Sequence, residues 1–258
     1  MSLSDTLLKF GHGNAKLPNT TMTFAIPAGH TCPGALHCLS KADPGTGKIQ
    51  DGPYTIFRCS AASEETRTAV RNARWHNFRL LAGLDTPETV DLIEISLRAQ
   101  VRTYTERVRW FTSGDCWSTT LRNALIQIGR RHPEILFYLY SKNLPIWLED
   151  GRPLPLPDNL LLTACWGGRY DFLLQEGIFP RTARVVDTYE EAADLDLPID
   201  YDDRLAYSRT PIHFAHLVHG TQPSGSKAGR AISDRRKRGL FSGYSAGKRH
   251  LPSVPVAP

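Results

Sequence analysis

Apolar and polar positions recur along the chain with two different periods. Short runs rich in β-branched and aromatic residues, Thr21 to Ile26, Val108 to Thr112, Ile135 to Ser141, Leu160 to Cys165, Arg184 to Val186 and Phe214 to Val218, read as about six strands bounded by Gly, Pro, Ser or Asp. Between them lie stretches with the three- to four-residue spacing of a helix that has one apolar face. Ser63, Glu64 and Glu65 mark a helix start, because a hydroxyl caps free amides and carboxylates oppose the positive end of the helix dipole; that helix is expected to run to about Ala82. A second opens at Thr86-Pro87-Glu88, with Val90, Ile93, Leu97 and Val101 expected to face the core. Leu121 to Arg131 and Ser226 to Arg238 complete the set.

Strands alternating with helices predict an α/β fold. The runs at 135–141 and 160–165 are apolar almost throughout, as strands covered on both faces require, so parallel pairing is favoured. Residues 1–240 are expected to form one domain and 241–258 a loosely ordered C-terminal tail, since periodicity fades after Gly239.

Composition narrows the class. In 258 residues, 41% are hydrophobic and 22% charged, an ordinary globular balance that excludes wholesale disorder. No apolar run approaches the roughly 20 residues that span a bilayer, and no export signal is evident at the N-terminus, so a cytoplasmic protein with no membrane partner is expected. Five cysteines, an odd number without such a signal, point to metal ligation or buried thiols over a disulfide framework. The net charge of +5 is modest, and Arg235, Arg236, Lys237, Arg238, Lys248 and Arg249 concentrate it near the C-terminus, where nucleic-acid contact and a solvated face are both open.

The first strand delivers the chain into a long segment, Thr31 to Cys59, holding Cys32, Cys38 and Cys59 among several Gly and Pro residues. A loop of that length in a compact domain serves a site or is tied down by a ligand. Three thiolates suit an iron–sulfur cluster or zinc, with His30 or His37 available to complete a zinc set, and three ordinary buried thiols are the alternative. Three ligands leave one iron of a four-iron cluster open, which favours chemistry over scaffolding.

Ligands of parallel α/β proteins lie beyond the carboxyl ends of the strands. Ser113-Gly114-Asp115, Ser141-Lys142 and Cys165-Trp166-Gly167-Gly168-Arg169 occupy three such ends, where Lys142 and Arg169 suit an anionic group and Trp166 a flat ring. Cys116 and Cys165 read as inert thiols or spare ligands. The acidic segment Asp194, Asp196, Asp200, Asp202 and Asp203 reads as a solvated loop, with hard-cation binding the lesser reading. Neither a Walker loop after His219, nor a GxSxG elbow, nor a kinase or HExxH signature occurs.

Gly-His-Thr-Cys-Pro-Gly-Ala (29 to 35), Phe-Arg-Cys-Ser-Ala-Ala-Ser (57 to 63), Arg-Trp-His-Asn-Phe (74 to 78), Thr-Ser-Gly-Asp (112 to 115), Phe-Tyr-Leu-Tyr-Ser-Lys (137 to 142) and His-Gly-Thr-Gln-Pro-Ser-Gly-Ser (219 to 226) together resemble a phage family known by a gene-product number. The resemblance runs from about residue 11 to 245 and implies a protein made in a bacterial host cytoplasm. That family is in turn similar to radical S-adenosylmethionine proteins. The similarity implies a partial β/α (TIM-like) barrel and a 4Fe-4S cluster on Cys32, Cys38 and Cys59. It also implies S-adenosylmethionine near Ser113, Gly114 and Asp115, with Lys142 and Arg169 meeting an anionic group. The expected function is a radical enzyme on an unknown substrate; the alternative is a zinc- or cluster-stabilised nucleic-acid-binding or host-takeover protein.

Overall fold

The computed structural model describes residues 6–244. Its first strand, β1 (Phe10–His12), pairs antiparallel with β2 (Thr21–Ala25). The chain then forms a small hairpin, β3 (Ser40–Ala42) and β4 (Ile49–Asp51), followed by helices α1 (Ser60–Glu64), α2 (Thr68–Leu81) and α3 (Thr86–Gln100). Next come β5 (Arg107–Ser113), α4 (Thr119–Arg131), β6 (Leu136–Ser141), a minor hairpin of β7 (Leu148–Glu149) and β8 (Arg152–Pro153), and β9 (Leu160–Cys165). The remainder is α5 (Asp171–Gln175), β10 (Thr182–Val186), α6 (Tyr189–Asp194), β11 (His213–Leu217) and α7 (Lys227–Lys237).

The central sheet has seven strands in the order β1-β2-β5-β6-β9-β10-β11, and every pairing beyond β1-β2 is parallel. The mixed α/β architecture and the mainly parallel sheet agree with the sequence. β1 was not legible in it, because three residues including Gly11 carry no strand period. The sheet stays open, with β1 and β11 at its edges.

Alternation along each strand divides the sheet into an apolar and a polar face. Met22, Phe24, Val108, Trp110, Phe137, Leu139 and Leu160 join Val90, Ile93, Leu97, Leu125 and Ile128 in the main core. Arg109, Tyr140 and His216 point the other way, into a large cavity. At Phe111 the backbone takes a φ of 54°, beside a register shift between β2 and β5. That bulge lets Trp110 and Phe111 both enter the core while Arg109 and Thr112 stay on the cavity side.

Four expectations need correction. The helix expected from Ser63 to Ala82 is broken: α1 ends at Glu64, Ser63 lies inside it, and Cys59 takes the cap position. Arg71 anchors the break, its buried guanidinium donating to the carbonyls of Pro44, Gly45 and Glu65. Val101 is 37% exposed, because it is the residue after α3 and its extended backbone turns it off the apolar stripe. Asp200 and Asp203, read as part of a solvated loop, are buried. Of the segment expected to be loose, Phe241 packs on Tyr201 at 5.3 Å, with Tyr244 against Phe241 at 5.0 Å; residues 245–258 lie outside those described.

The start of α3 carries a capping box, in which Asp85 Oδ1 accepts from the Glu88 amide at 2.9 Å and Glu88 Oε2 accepts from the Asp85 amide at 3.0 Å. Asp85→Ala leaves the Glu88 amide without its acceptor and is expected to cost about 0.5–2 kcal/mol in urea unfolding, whereas an unchanged midpoint would mean that water replaces the cap fully.

Candidate metal centre and adjoining cavity

The segment from Pro27 to Cys59 is built on close backbone approaches. A Cβ at Gly34 would lie 2.1 Å from the Lys142 carbonyl oxygen, so only a glycine lets this turn rest on the end of β6. The Gly34 carbonyl accepts from the Arg169 amide at 2.8 Å, and the His37 amide donates to the Gly167 carbonyl at 2.9 Å. Gly114, at a φ of 81°, lies against Ile26 and Thr31 where a Cβ would be 2.3 Å from Ile26 Cγ1. These contacts fix Cys32 and Cys38 over the carboxyl ends of β5, β6 and β9. The β3-β4 hairpin then carries the chain back, so that Cys59, whose amide donates to Ser40 Oγ at 3.4 Å, returns to the same end of the sheet.

The three thiols are close enough to act on one another's ionisation. Burial pushes Cys32 well above its ordinary pKa, and Asp115, Cys59 and Cys38 push it further. Burial, then the charge of Cys38, raises Cys59 to about 11, against the amides of Ala62 and Ala61. Burial also raises Cys38, against the pull of Lys142. The Gly29 amide donates to Cys32 Sγ at 3.3 Å, a bond that favours a thiolate acceptor.

Among the described residues, the group of metal-ligand side chains whose donor atoms all lie within 4.8 Å of one another is Asp200, Asp203 and His216, not the cysteines. His30 is engaged elsewhere, its Nε2 at 2.9 Å from the Ala42 carbonyl and its ring edge-on to Trp75.

The strand-end residues divide by role. Both Asp115 oxygens accept backbone amides, Oδ1 from Cys116 at 2.7 Å and Oδ2 from Lys142 at 2.8 Å and Asn143 at 3.3 Å, so this carboxylate joins the ends of β5 and β6. Burial raises its pKa to about 6. Ser113 is buried and turns its hydroxyl to Glu65 at 3.3 Å. Lys142 donates to the Trp166 carbonyl at 2.6 Å, and Cys165 and Cys38 overcome burial to raise its pKa. Cys165 therefore stands with the cysteine set, while Cys116 is fully buried in the core. Arg169 is exposed and reaches the site only through its amide; the Trp166 ring is covered by Arg184 at 4.3 Å.

Beside this set lies a cavity of about 1270 Å³. Ser60 and Ser63 of α1 line it, one turn of the helix that Cys59 caps. Below it is a network that sequence reasoning missed. Asp203 takes Lys16 at 2.5 Å, Arg109 at 2.5 Å, and the hydroxyls of Tyr140 at 3.0 Å and Tyr138 at 3.2 Å. Burial pushes the Asp203 carboxyl up, but Arg109 and Lys16 outweigh it and hold it well below the usual carboxylate range. His216 is neutral, through burial first and Lys16 second, and burial takes His219 to about 4. In the Asp200-Asp203-His216 group two cations already meet Asp203, while Asp200 Oδ2 is buried without a hydrogen-bond partner. The available signal was the spacing by two of Arg107 with Arg109 and of Tyr138 with Tyr140, polar or amphipathic groups on one face of two strands.

Fold and site together define an α/β protein whose parallel strands end in a thiol-rich site beside a polar cavity. The chain belongs to the phage family described as Gene product 88, whose model matches residues 4–239. No curated protein and no solved structure matches it. No helix among the described residues is long and apolar enough to cross a membrane.

Proposed function

We propose that the protein is an iron–sulfur enzyme in which Cys32, Cys38 and Cys59 hold a 4Fe-4S cluster at the mouth of a partial β/α barrel, with radical S-adenosylmethionine-like chemistry on a substrate in the adjoining cavity. The observation that carries this reading is that Cys32, Cys38 and Cys59, distant in sequence, lie near the carboxyl end of a parallel sheet and close enough to act on one another's ionisation. The sequential order of β2, β5, β6, β9, β10 and β11 supports the partial barrel.

Such a cluster, when bound, supplies a low-potential electron for reductive cleavage of S-adenosylmethionine. The chain's own residues prepare the place. Gly29 donates to Cys32, Gly114 admits close approach, Asp115 fixes the loop that carries Lys142, and Lys142 provides a half-buried positive charge beside Cys38 and Cys165.

Two facts weigh against nucleic-acid binding through the basic C-terminal segment. Arg235 is buried and donates to the Val218 carbonyl, and Lys237 and Arg238 pair with Asp234 and Glu190. Lys248 and Arg249 lie outside the described residues.

Anaerobic purification with iron, sulfide and zinc assays tests the reading. Iron and sulfide in the wild type, lost in Cys32→Ala, Cys38→Ala and Cys59→Ala but kept in Cys116→Ala, are expected; stoichiometric zinc, or iron that survives all three changes, would overturn the cluster. With an intact cluster, dithionite and S-adenosylmethionine should yield methionine and deoxyadenosine, and their absence would remove the radical chemistry.

A further inference from the structure

Part of the positive charge that the sequence concentrates near the C-terminus is already paired. Along α7, Lys227 pairs with Asp187 at 2.9 Å, Lys237 with Asp234 at 3.4 Å, and Arg238, just beyond, with Glu190 at 3.2 Å. The cavity is different. Lys9, Lys16, Arg67, Arg74, Arg109 and Arg236 line it, against Glu64 as the one lining carboxylate among the described residues. Glu64 is itself spent on Arg74, at 2.5 Å. Lys16 and Arg109 meet Asp203, which leaves Lys9, Arg67 and Arg236 with no ion-pair partner among the described residues.

Those three cations come from three separate elements: Lys9 from the residue before β1, Arg67 from the cap of α2, and Arg236 from the last turn of α7. All three are exposed, so they form a rim over a recess with low-dielectric walls. Such a recess focuses the field of its charges and raises the local concentration of anions. Guanidinium groups brought to one cavity from separate elements match the oxygens of a phosphate group in a way that a single monovalent carboxylate does not use fully.

Deeper in, the groups change character. Tyr140, neutral His216 and neutral His219 line the floor with hydrogen-bonding rings rather than net charge. His219 has its Nδ1 engaged by the Leu217 carbonyl at 3.0 Å, which leaves its other nitrogen as an acceptor. At about 1270 Å³, the space also exceeds the roughly 300–1,000 Å³ that commonly holds one small ligand.

We infer that this cavity receives a phosphate-bearing ligand of nucleotide size, its phosphates at the rim formed by Lys9, Arg67 and Arg236 and its polar, uncharged part on the floor formed by Tyr140, His216 and His219. As the substrate class of the enzyme proposed above, this rests on that reading; as a binding event, it does not.

Calorimetric titration of the full chain tests it, with each ribonucleoside triphosphate, inorganic triphosphate, a nucleoside and a short oligothymidylate as probes, in both iron-loaded and metal-free protein. A triphosphate is expected to bind, more tightly than inorganic triphosphate or the nucleoside, and to weaken at least about tenfold in the double variant Arg67→Ala, Arg236→Ala, since both changes remove charge-assisted contacts. Both side chains are exposed, and unaltered urea unfolding of the variant confirms that its fold is intact. Binding that survives the double change, binding by the oligothymidylate alone, or no binding by any phosphate-bearing probe overturns the inference. Nucleotide binding by a protein that never holds iron would uphold it while removing the cluster reading.

Discussion

Asp203→Ala is expected to destabilise the protein by about 3–5 kcal/mol, measured by urea unfolding at neutral pH, because it leaves Lys16 and Arg109 partly buried without their shared counter-charge. The hydroxyls of Tyr138 and Tyr140 lose an acceptor in the same step. Asp203→Asn keeps the shape and an acceptor oxygen but not the charge, so it should fall between the wild type and the alanine variant. The pH dependence separates charge from packing. Since Arg109 and Lys16 hold the Asp203 carboxyl below its ordinary range despite burial, its charge contributes stability above the unfolded value of about 3.9, and that contribution is lost as pH falls through the folded value. Asp115 and Asp200 act in the opposite sense. Burial raises each to about 6, so the folded state takes up these protons first and lowering the pH from about 7 to about 4 favours folding at both. The gap between wild type and Asp203→Ala should therefore narrow below about pH 4, where the Asp203 charge is lost, while near pH 6 it also carries the part of the Asp200 shift that Asp203 causes. A gap that does not change with pH would assign the effect to packing alone.

This network also shows where the sequence was legible and where it was not. Strands such as Leu160–Cys165 and the stripe of Val90, Ile93 and Leu97 announce themselves, because burial against one neighbouring layer imposes a period on the local sequence. The three cysteines stand out in the sequence because few other roles call for thiols amid Gly and Pro in so long a segment. Asp203 was not. Its neighbours in sequence, Asp202 and Arg204, form an ordinary surface pair at 2.7 Å, and only the fold brings Lys16, Arg109 and Tyr140 to it from three distant segments. An acidic run looks solvated until its counter-charges are known, and those are nonlocal. The break between α1 and α2 was hidden for a similar reason: the carbonyls freed at Glu65 and Thr66 are satisfied by Arg71, a residue that by itself reads as a good helix former on an exposed face.

The strand-end motif was legible as a place but not as a mechanism. Ser113-Gly114-Asp115 does lie at the carboxyl end of β5, beside the cysteines, yet Ser113 and Asp115 turn inward to Glu65 and to the β6 loop. The glycines do more of the positioning than the polar residues. That gives the second large effect. Gly34→Ala places a Cβ 2.1 Å from the Lys142 carbonyl oxygen and 2.7 Å from the Asn143 nitrogen, and since both are backbone atoms, neither can swing aside. Relief requires the Cys32–Cys38 turn to lift off β6, with loss of the Arg169 and His37 amide bonds, at a cost of about 1–3 kcal/mol in urea unfolding. Gly45→Ala, in the same long segment, meets nothing nearer than Asp43 Oδ1 at 3.6 Å and should stay within about 0.5 kcal/mol of the wild type. Lifting the turn also exposes two thiols that are now half-buried, so an aromatic disulfide reagent should modify metal-free Gly34→Ala faster than metal-free wild type, and at Cys32 and Cys38 before Cys116. Equal stability and equal thiol reactivity for the two glycine variants would mean that the loop does not rest on the strand end, and with that the positioning of the cysteine set would lose its physical basis.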